Sequence, residues 1–232
     1  MKCSWLLVAL VMSCLPVLDL AAQPVEPPFG LARSTGGETQ LLPQGFEVDL
    51  ALSAGPEHLR ADATVYVFGR RGYEKVKVGS NGFTCMVNRD GLQSGDRTFR
   101  PTCWDAEGGR TIVPVMLRVG ELLAQRKTAD EVRRDIDAGF DQGLFSAPHK
   151  AGIAYMLRGD LQVDPESPRV SAQSFPPHCM IYAPGVSNRD IGIDHGASRD
   201  RFALPFVHAG YSGGTNTGYI IVLAIEGKGH LH

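Results

Sequence analysis

The chain has 232 residues, and its 23 Lys and Arg against 25 Asp and Glu give a net charge of −2. With 43% hydrophobic and 21% charged residues it has an ordinary globular composition, which excludes a chain disordered throughout. Because there is no basic excess, we expect no nucleic acid partner. The length suits one domain, or two small ones at most.

The first 22 residues have the layout of a secretory signal peptide. Lys2 supplies a positive start, residues 5–12 (WLLVALVM) form an apolar run, and two small residues end the segment at Ala22. A proline and an aspartate interrupt the apolar stretch, which makes it a poor membrane span. We expect cleavage after Ala22. The alternatives are a lipoprotein signal with its anchor at Cys14 and a buried N-terminal helix.

Cleavage would leave three cysteines in a secreted or periplasmic chain without a membrane span: Cys85, Cys103 and Cys179. The stretch between the first two (MVNRDGLQSGDRTFRPT) is polar and rich in turn formers, so it can loop back. We therefore predict a Cys85–Cys103 disulfide, worth roughly 3 kcal/mol by loop entropy. This pairing leaves Cys179 without a cysteine partner. It is either a thiol buried in an apolar strand or a reactive thiol beside His178.

The N-terminal half of the mature chain predicts an arm, a short helix and three strands. Residues 23–44 are rich in proline and glycine without periodicity, which indicates an extended arm. Residues 45–60 show helical spacing up to a Gly-Pro pair. Strands are predicted at residues 63–68, 73–78 and 83–87. Since Asn81-Gly82 favours a hairpin, we expect an antiparallel β-meander.

Two helices follow. Residues 111–125 place their apolar side chains on one face, and Pro114 fits only within the first turn of such a helix. Thr128 and Glu131 have the spacing of a capping box, which predicts the start of a second helix, and Gly143 closes it.

The last third alternates short apolar runs with polar stretches. We predict strands at residues 152–157, 178–183, 202–207 and 219–225, with polar loops at 158–176 and 185–201. The whole order predicts a single α+β domain over residues 45–232. It would have a mainly antiparallel sheet, two central helices packed on one face, and C-terminal strands.

Two motifs have ordinary structural explanations. Residues 210–214 (GYSGG) match the G-x-S-x-G elbow of hydrolases, but a strand rather than a helix is predicted to follow, so we interpret them as a loop. Four basic residues between Arg70 and Lys77 favour a charged sheet edge over an acidic-ligand site. The chain has no phosphate-binding glycine loop and no His-Glu-x-x-His zinc motif.

The densest polar group comprises His178, Asp190, His195 and His208. If the loop after the strand at His178 folds back over the sheet, these side chains could hold a divalent metal. The metal would lower the pKa of a bound water. The spacing matches no established ligand pattern, and residues of this kind also cap their own turns.

The sequence predicts no specific cofactor, and its leading functional interpretation is a non-catalytic module. It would bind a small molecule, a glycan or a protein through loops 185–201 and 208–218. The alternative is a metal-assisted hydrolase in which His178, Asp190 and His195 activate water. A cysteine hydrolase is a third possibility, but His178 and Cys179 are strand neighbours that point to opposite faces.

Overall fold

The computed structural model of the protein describes residues 39–89, 98–164, 167–193, 204–210 and 216–224. These residues form four helices, which are α1 (Gln44–Leu52), α2 (Glu57–Arg60), α3 (Ala106–Ala124) and α4 (Ala129–Asp141). They also form ten strands, which are β1 (Thr64–Gly69), β2 (Gly72–Lys77), β3 (Thr84–Asn88), β4 (Thr98–Trp104), β5 (Ile153–Met156), β6 (Asp160–Val163), β7 (Val170–Phe175), β8 (His178–Tyr182), β9 (Phe206–His208) and β10 (Tyr219–Leu223).

The strands build a mixed, mostly antiparallel sheet, which confirms the predicted α+β class. Its order is β2-β1-β3-β4-β5-β8-β10-β9, and the β6–β7 hairpin pairs with the start of β4. All described residues belong to one compact unit. None of the described helices has the length and hydropathy needed to cross a membrane.

The N-terminal predictions fall partly outside the described residues. The signal peptide and residues 23–38 of the predicted arm are not among them. The last residues of that arm lie against the body of the protein, because Leu42 is buried and α1 already begins at Gln44.

The predicted meander differs from the structure at its last step. β3 pairs with β1 in parallel and leaves β2 at the edge. After β2 the chain crosses back, and the backbone N–H groups of Ser80 and Asn81 both donate to the carbonyl of Asp62. Asn81-Gly82 therefore turns the chain within a crossover rather than a hairpin, and Gly82 has the positive φ (80°) that the motif predicts.

β4 occupies a stretch that the sequence analysis assigned to a loop. It pairs with β3 on one side, while on the other residues 98–99 pair with β6 and residues 103–104 with β5. Pro101 argues against a strand, because proline cannot donate to a ladder. It is tolerated here because it lies between these two pairings.

The prediction of a polar loop over residues 158–176 is wrong, since this stretch contains the β6–β7 hairpin. Leu161 and Val163 are buried on β6, whereas the interior residues of β7 are exposed. β6 has the alternating burial of a strand, but β7 is polar, and its composition made the whole stretch resemble a loop. The predicted Cys85–Cys103 disulfide is present and joins directly opposed residues of β3 and β4.

Each face of the sheet carries a hydrophobic cluster. α3 packs on β2, β3 and β4 and buries Met86 and Trp104, and α4 adds Val132 and Ile136 to the same cluster. The two central helices therefore pack on one face of the sheet, as predicted. The opposite face of β1, β3 and β4 is covered by α1, because successive strand residues such as Cys85 and Met86 point to opposite sides.

α3 begins at Ala106 rather than at the predicted Thr111, so Pro114 lies inside the helix and not in its first turn. The earlier start comes from Asp105, whose carboxylate accepts hydrogen bonds from the N–H groups of Glu107 and Gly108, both at 3.0 Å. Gly108 weakens the helical pattern in the sequence. A Cβ at this position would collide with the side chains of β4 and β8.

An ion pair is buried where α1 meets the sheet. The Arg89 guanidinium donates to Glu47 Oε1 at 2.9 Å, and the side chains are 7% and 0% exposed. Glu47 Oε1 also accepts from the N–H of Phe68 at 2.9 Å, and the rings of Phe68 and Phe99 lie within 5.0 Å of the guanidinium carbon. Burial raises the pKa of the adjacent Tyr73 phenol to about 12. The pair fixes α1 to the ends of β1 and β3.

Candidate functional site

His178 begins β8 on the α3 side of the sheet and is only 2% exposed. Its Nδ1–H donates to the carbonyl of Pro176 at 2.9 Å, and the ring of Phe175 packs edge-on at 4.9 Å. Burial lowers the pKa of His178, and the charge of His208 lowers it further. The imidazole is therefore neutral at pH 7, with its lone pair on Nε2.

We expect the stability of the protein to fall when the pH is lowered from about 7.5 to about 5.5, because an unfolded histidine gains its proton near pH 6.5. The folded His178 resists protonation, so its contribution is complete above that pH and is lost below it. In His178→Asn the amide can still donate to Pro176, and urea unfolding at the two pH values should show a smaller difference. His58→Asn replaces an exposed histidine and is the control. If both variants reduce the stability difference between the two pH values by the same amount, the difference does not arise from His178.

Within the described residues, the other predicted metal ligands do not come together with His178. His208 lies on the same sheet face but two strands away, where it pairs with Tyr219. Asp190 is exposed, and its carboxylate accepts from Ser187 N and Oγ at 2.8 and 2.7 Å, which lowers the pKa of Asp190. His195 lies outside the described residues. Over the described ranges, no three His, Cys, Asp or Glu side chains come together as metal ligands.

Cys179 points to the opposite face from His178, as the strand alternation predicts. Burial raises the pKa of the thiol, so its surroundings favour the protonated form over the thiolate that a nucleophile requires. Tyr155 lies between Cys179 and Cys103 in the strand register. Cys179 is therefore separated from the disulfide by a whole strand and stays the odd thiol.

Local contacts account for one basic residue of the first hairpin and for the aromatic ring beside His178. Lys77 donates to the carbonyls of Arg60 and Ala61, so one of the four basic hairpin residues holds the end of α2. Phe175 packs against Phe206 as well as His178, at 6.3 Å between ring centroids, and is part of a packed aromatic cluster. Residues 211–214 of the G-x-S-x-G match lie outside the described residues, and β10 is the next described element.

A feature that the sequence analysis missed is an apolar surface on the side of β5, β8, β10 and β9 that faces away from α3. We call it the outer sheet face. Its members are half-buried, or exposed in the case of the last one, and belong to neither hydrophobic cluster: Ile153, Cys179, Ile181, Val207, Ile220 and Val222.

The strand register places these side chains in two rows. Ile153 pairs with Ile181, which pairs with Ile220, which in turn pairs with Val207, so one row crosses four strands. Paired residues of adjacent strands project to the same side. Cys179 and Val222 form the second row, which Tyr155 of β5 continues towards the cluster covered by α1, and Val222 is 39% exposed. The strands on which α1 mainly packs are β1, β3 and β4, and none of them belongs to this half of the sheet.

The sequence does contain a signal for this face. β10 reads YIIVL without polar alternation, a pattern typical of a strand that is buried on both sides. In the structure its burial alternates instead, with Tyr219 and Ile221 facing α3 and Ile220 and Val222 facing outward. A strand that is apolar on both sides but buried on one side needs either a second layer or a partner.

The six named residues of the outer sheet face are thus aliphatic side chains and one thiol, and the Tyr155 ring borders them on β5. Their chemistry allows apolar contact. Comparison with protein-family models, with curated proteins and with solved structures found no match to this chain, so the assignment of the site rests on its own geometry.

Proposed function

We propose that the protein is an exported, non-catalytic module that binds another polypeptide through the outer sheet face. The observation that supports this proposal is the row from Ile153 to Val207, which lies outside both hydrophobic clusters although all four of its members are aliphatic. Contiguous apolar surface of this kind marks interaction sites in folded proteins. The Cys85–Cys103 disulfide is compatible with an extracellular location.

The chemistry of the face favours a polypeptide over the other ligands considered. Small-molecule and glycan sites use converging polar groups to orient their ligand. The side chains of the outer sheet face project from neighbouring strands, and none of them is charged. We therefore expect a partner that presents an uncharged aliphatic strand or helix face.

Site-specific photo-cross-linking tests the proposal. Benzoylphenylalanine at position 222, in protein produced in its native host, should give one discrete adduct with a different polypeptide. The same residue at position 76 should give none, because Val76 on β2 is equally apolar and equally exposed (37% against 39%) but lies at the far edge of the sheet.

The identified partner should then bind Ile181→Gln about fivefold or more weakly than the natural chain, as expected when an apolar contact near the centre of an interface is lost. Circular dichroism must show that this variant is folded. Equal cross-linking from positions 222 and 76, or none from either, would contradict the proposal. An adduct with twice the mass of the chain would assign the face to self-association instead.

The metal-assisted hydrolase with His178, Asp190 and His195 remains the alternative. One observation favours it: the hydrogen bond from Nδ1 of His178 to a backbone carbonyl leaves Nε2 available, as in many metal-bound histidines. Stoichiometric metal in the purified protein that is lost in His178→Ala would decide for the hydrolase and against a purely binding role.

A further inference from the structure

Among the described strands β9 ends the sheet, and the pattern of its hydrogen bonds with β10 leaves one residue facing outward. β9 pairs with β10 through Phe206–Ile221, Val207–Ile220 and His208–Tyr219. In an antiparallel pair every second residue turns its N–H and C=O away from the partner strand. In a strand of three residues only the middle one, Val207, does so here.

Both outward groups of Val207 are engaged by a single side chain. Asn188 Oδ1 accepts from the N–H of Val207 at 2.7 Å, and Asn188 Nδ2 donates to its carbonyl at 3.3 Å. A primary amide carries one acceptor and one donor side by side, so it can reproduce the pair of bonds that an added strand would make.

The loop that carries Asn188 is held in its conformation by hydrogen bonds between its own residues. Ser187 and Asp190 bond to each other through side chain and backbone, and the N–H of Ile193 donates to the carbonyl of Asn188 at 2.9 Å. Gly185 and Gly192 both have positive φ, near 77° and 75°, which lets the chain turn at each end of this segment. Asp190, which was predicted as a metal ligand, thus helps to hold the loop that presents the Asn188 amide.

We propose that Asn188 blocks the edge of β9 against addition of the same strand from a second copy of the chain. Unpaired edges are templates for strand addition, and folded proteins use specific devices to close them. Two copies related by a two-fold axis would oppose Val207 to Val207, and this pair would exchange both N–H···O bonds. The inference concerns an edge and not the outer sheet face, so it stands independently of the proposed binding function.

Sedimentation velocity over a range of concentrations tests the inference. The natural chain should sediment as a monomer, and Asn188→Ala should self-associate about tenfold or more tightly, as expected from one or two freed backbone hydrogen bonds. Val222→Gln in the same background should leave this association unchanged, because it alters the face and not the edge.

Two further variants keep the test decisive if Asn188→Ala is less stable. Asn81→Ala removes a comparable amide, which bonds Leu59 O and Phe83 N in the crossover after β2, at the opposite end of the sheet from β9, and it should remain monomeric. Adding Val207→Pro to Asn188→Ala should restore the monomer, since proline has no N–H to offer and is tolerated on edge strands. A monomeric Asn188→Ala, or association that survives Val207→Pro, would overturn the inference.

Discussion

Replacing Glu47 with alanine is expected to lower the free energy of unfolding by about 3–5 kcal/mol, the usual cost of leaving one partner of a buried ion pair without the other. Arg89 would keep its charge in a site where it is 7% exposed. The backbone N–H of Phe68 would lose its acceptor in the same change. Urea denaturation followed by circular dichroism measures the effect.

The control is Glu57→Ala, which removes a carboxylate from the exposed start of α2 and should change stability by no more than about 0.5 kcal/mol. A double variant, Glu47→Leu with Arg89→Met, should recover much of the lost stability, because it removes both buried charges. If Glu47→Ala and Glu57→Ala unfold at the same urea concentration, the buried pair does not contribute as its geometry indicates.

Asp105→Ala is the second change with a large expected effect, about 3–4 kcal/mol of unfolding free energy. The carboxylate caps α3 and also accepts from the N–H of Ile153 and the hydroxyl of Tyr182, both at 2.9 Å. Loss of an N-cap costs about 1 kcal/mol, and the N–H of Ile153, left without its acceptor, costs about 1–3 kcal/mol more. The Tyr182 hydroxyl can still donate to the carbonyl of Ile153 at 2.9 Å. Thermal and urea unfolding should both rank Asp105→Ala as less stable than the natural chain and the comparison variants.

Asp130→Ala provides the comparison, since Asp130 is an exposed acidic residue in the first turn of α4. Its removal loses only a favourable interaction with the helix dipole, about 0.5 kcal/mol. Asp105→Asn should fall between the two, because an amide oxygen can still accept but the amide nitrogen adds a donor that needs its own partner. Equal stability of Asp105→Ala and Asp130→Ala would show that Asp105 does not join the three segments.

The sequence correctly predicted the features that depend only on residues close together in the chain or on a chemical need to pair. Thr128 and Glu131 form the predicted capping box, Gly143 has the positive φ (71°) of a helix terminus, and the disulfide pairs the predicted cysteines. Each of these depends on residues close in sequence or on a chemical requirement for pairing. None requires knowledge of the neighbouring strand.

The errors arise where a distant partner decides the structure. Pro101 is acceptable in β4 only because that strand changes partners there, and β3 joins β1 only because the chain crosses back at Asp62. The candidate site shows the same limit. The composition of β10 reveals that both of its faces are apolar, but only the positions of α1 and α3 show which face stays outside the clusters.

The cluster beneath α3 has a consequence for biogenesis. It joins Met86 and Trp104 to Tyr182 and Ile221, so the apolar side of this helix is not completely covered until the chain has been synthesised through β10. Contacts between residues so far apart in sequence form more slowly than local ones. We therefore expect this side of the sheet to acquire its native packing only after β10 has left the ribosome.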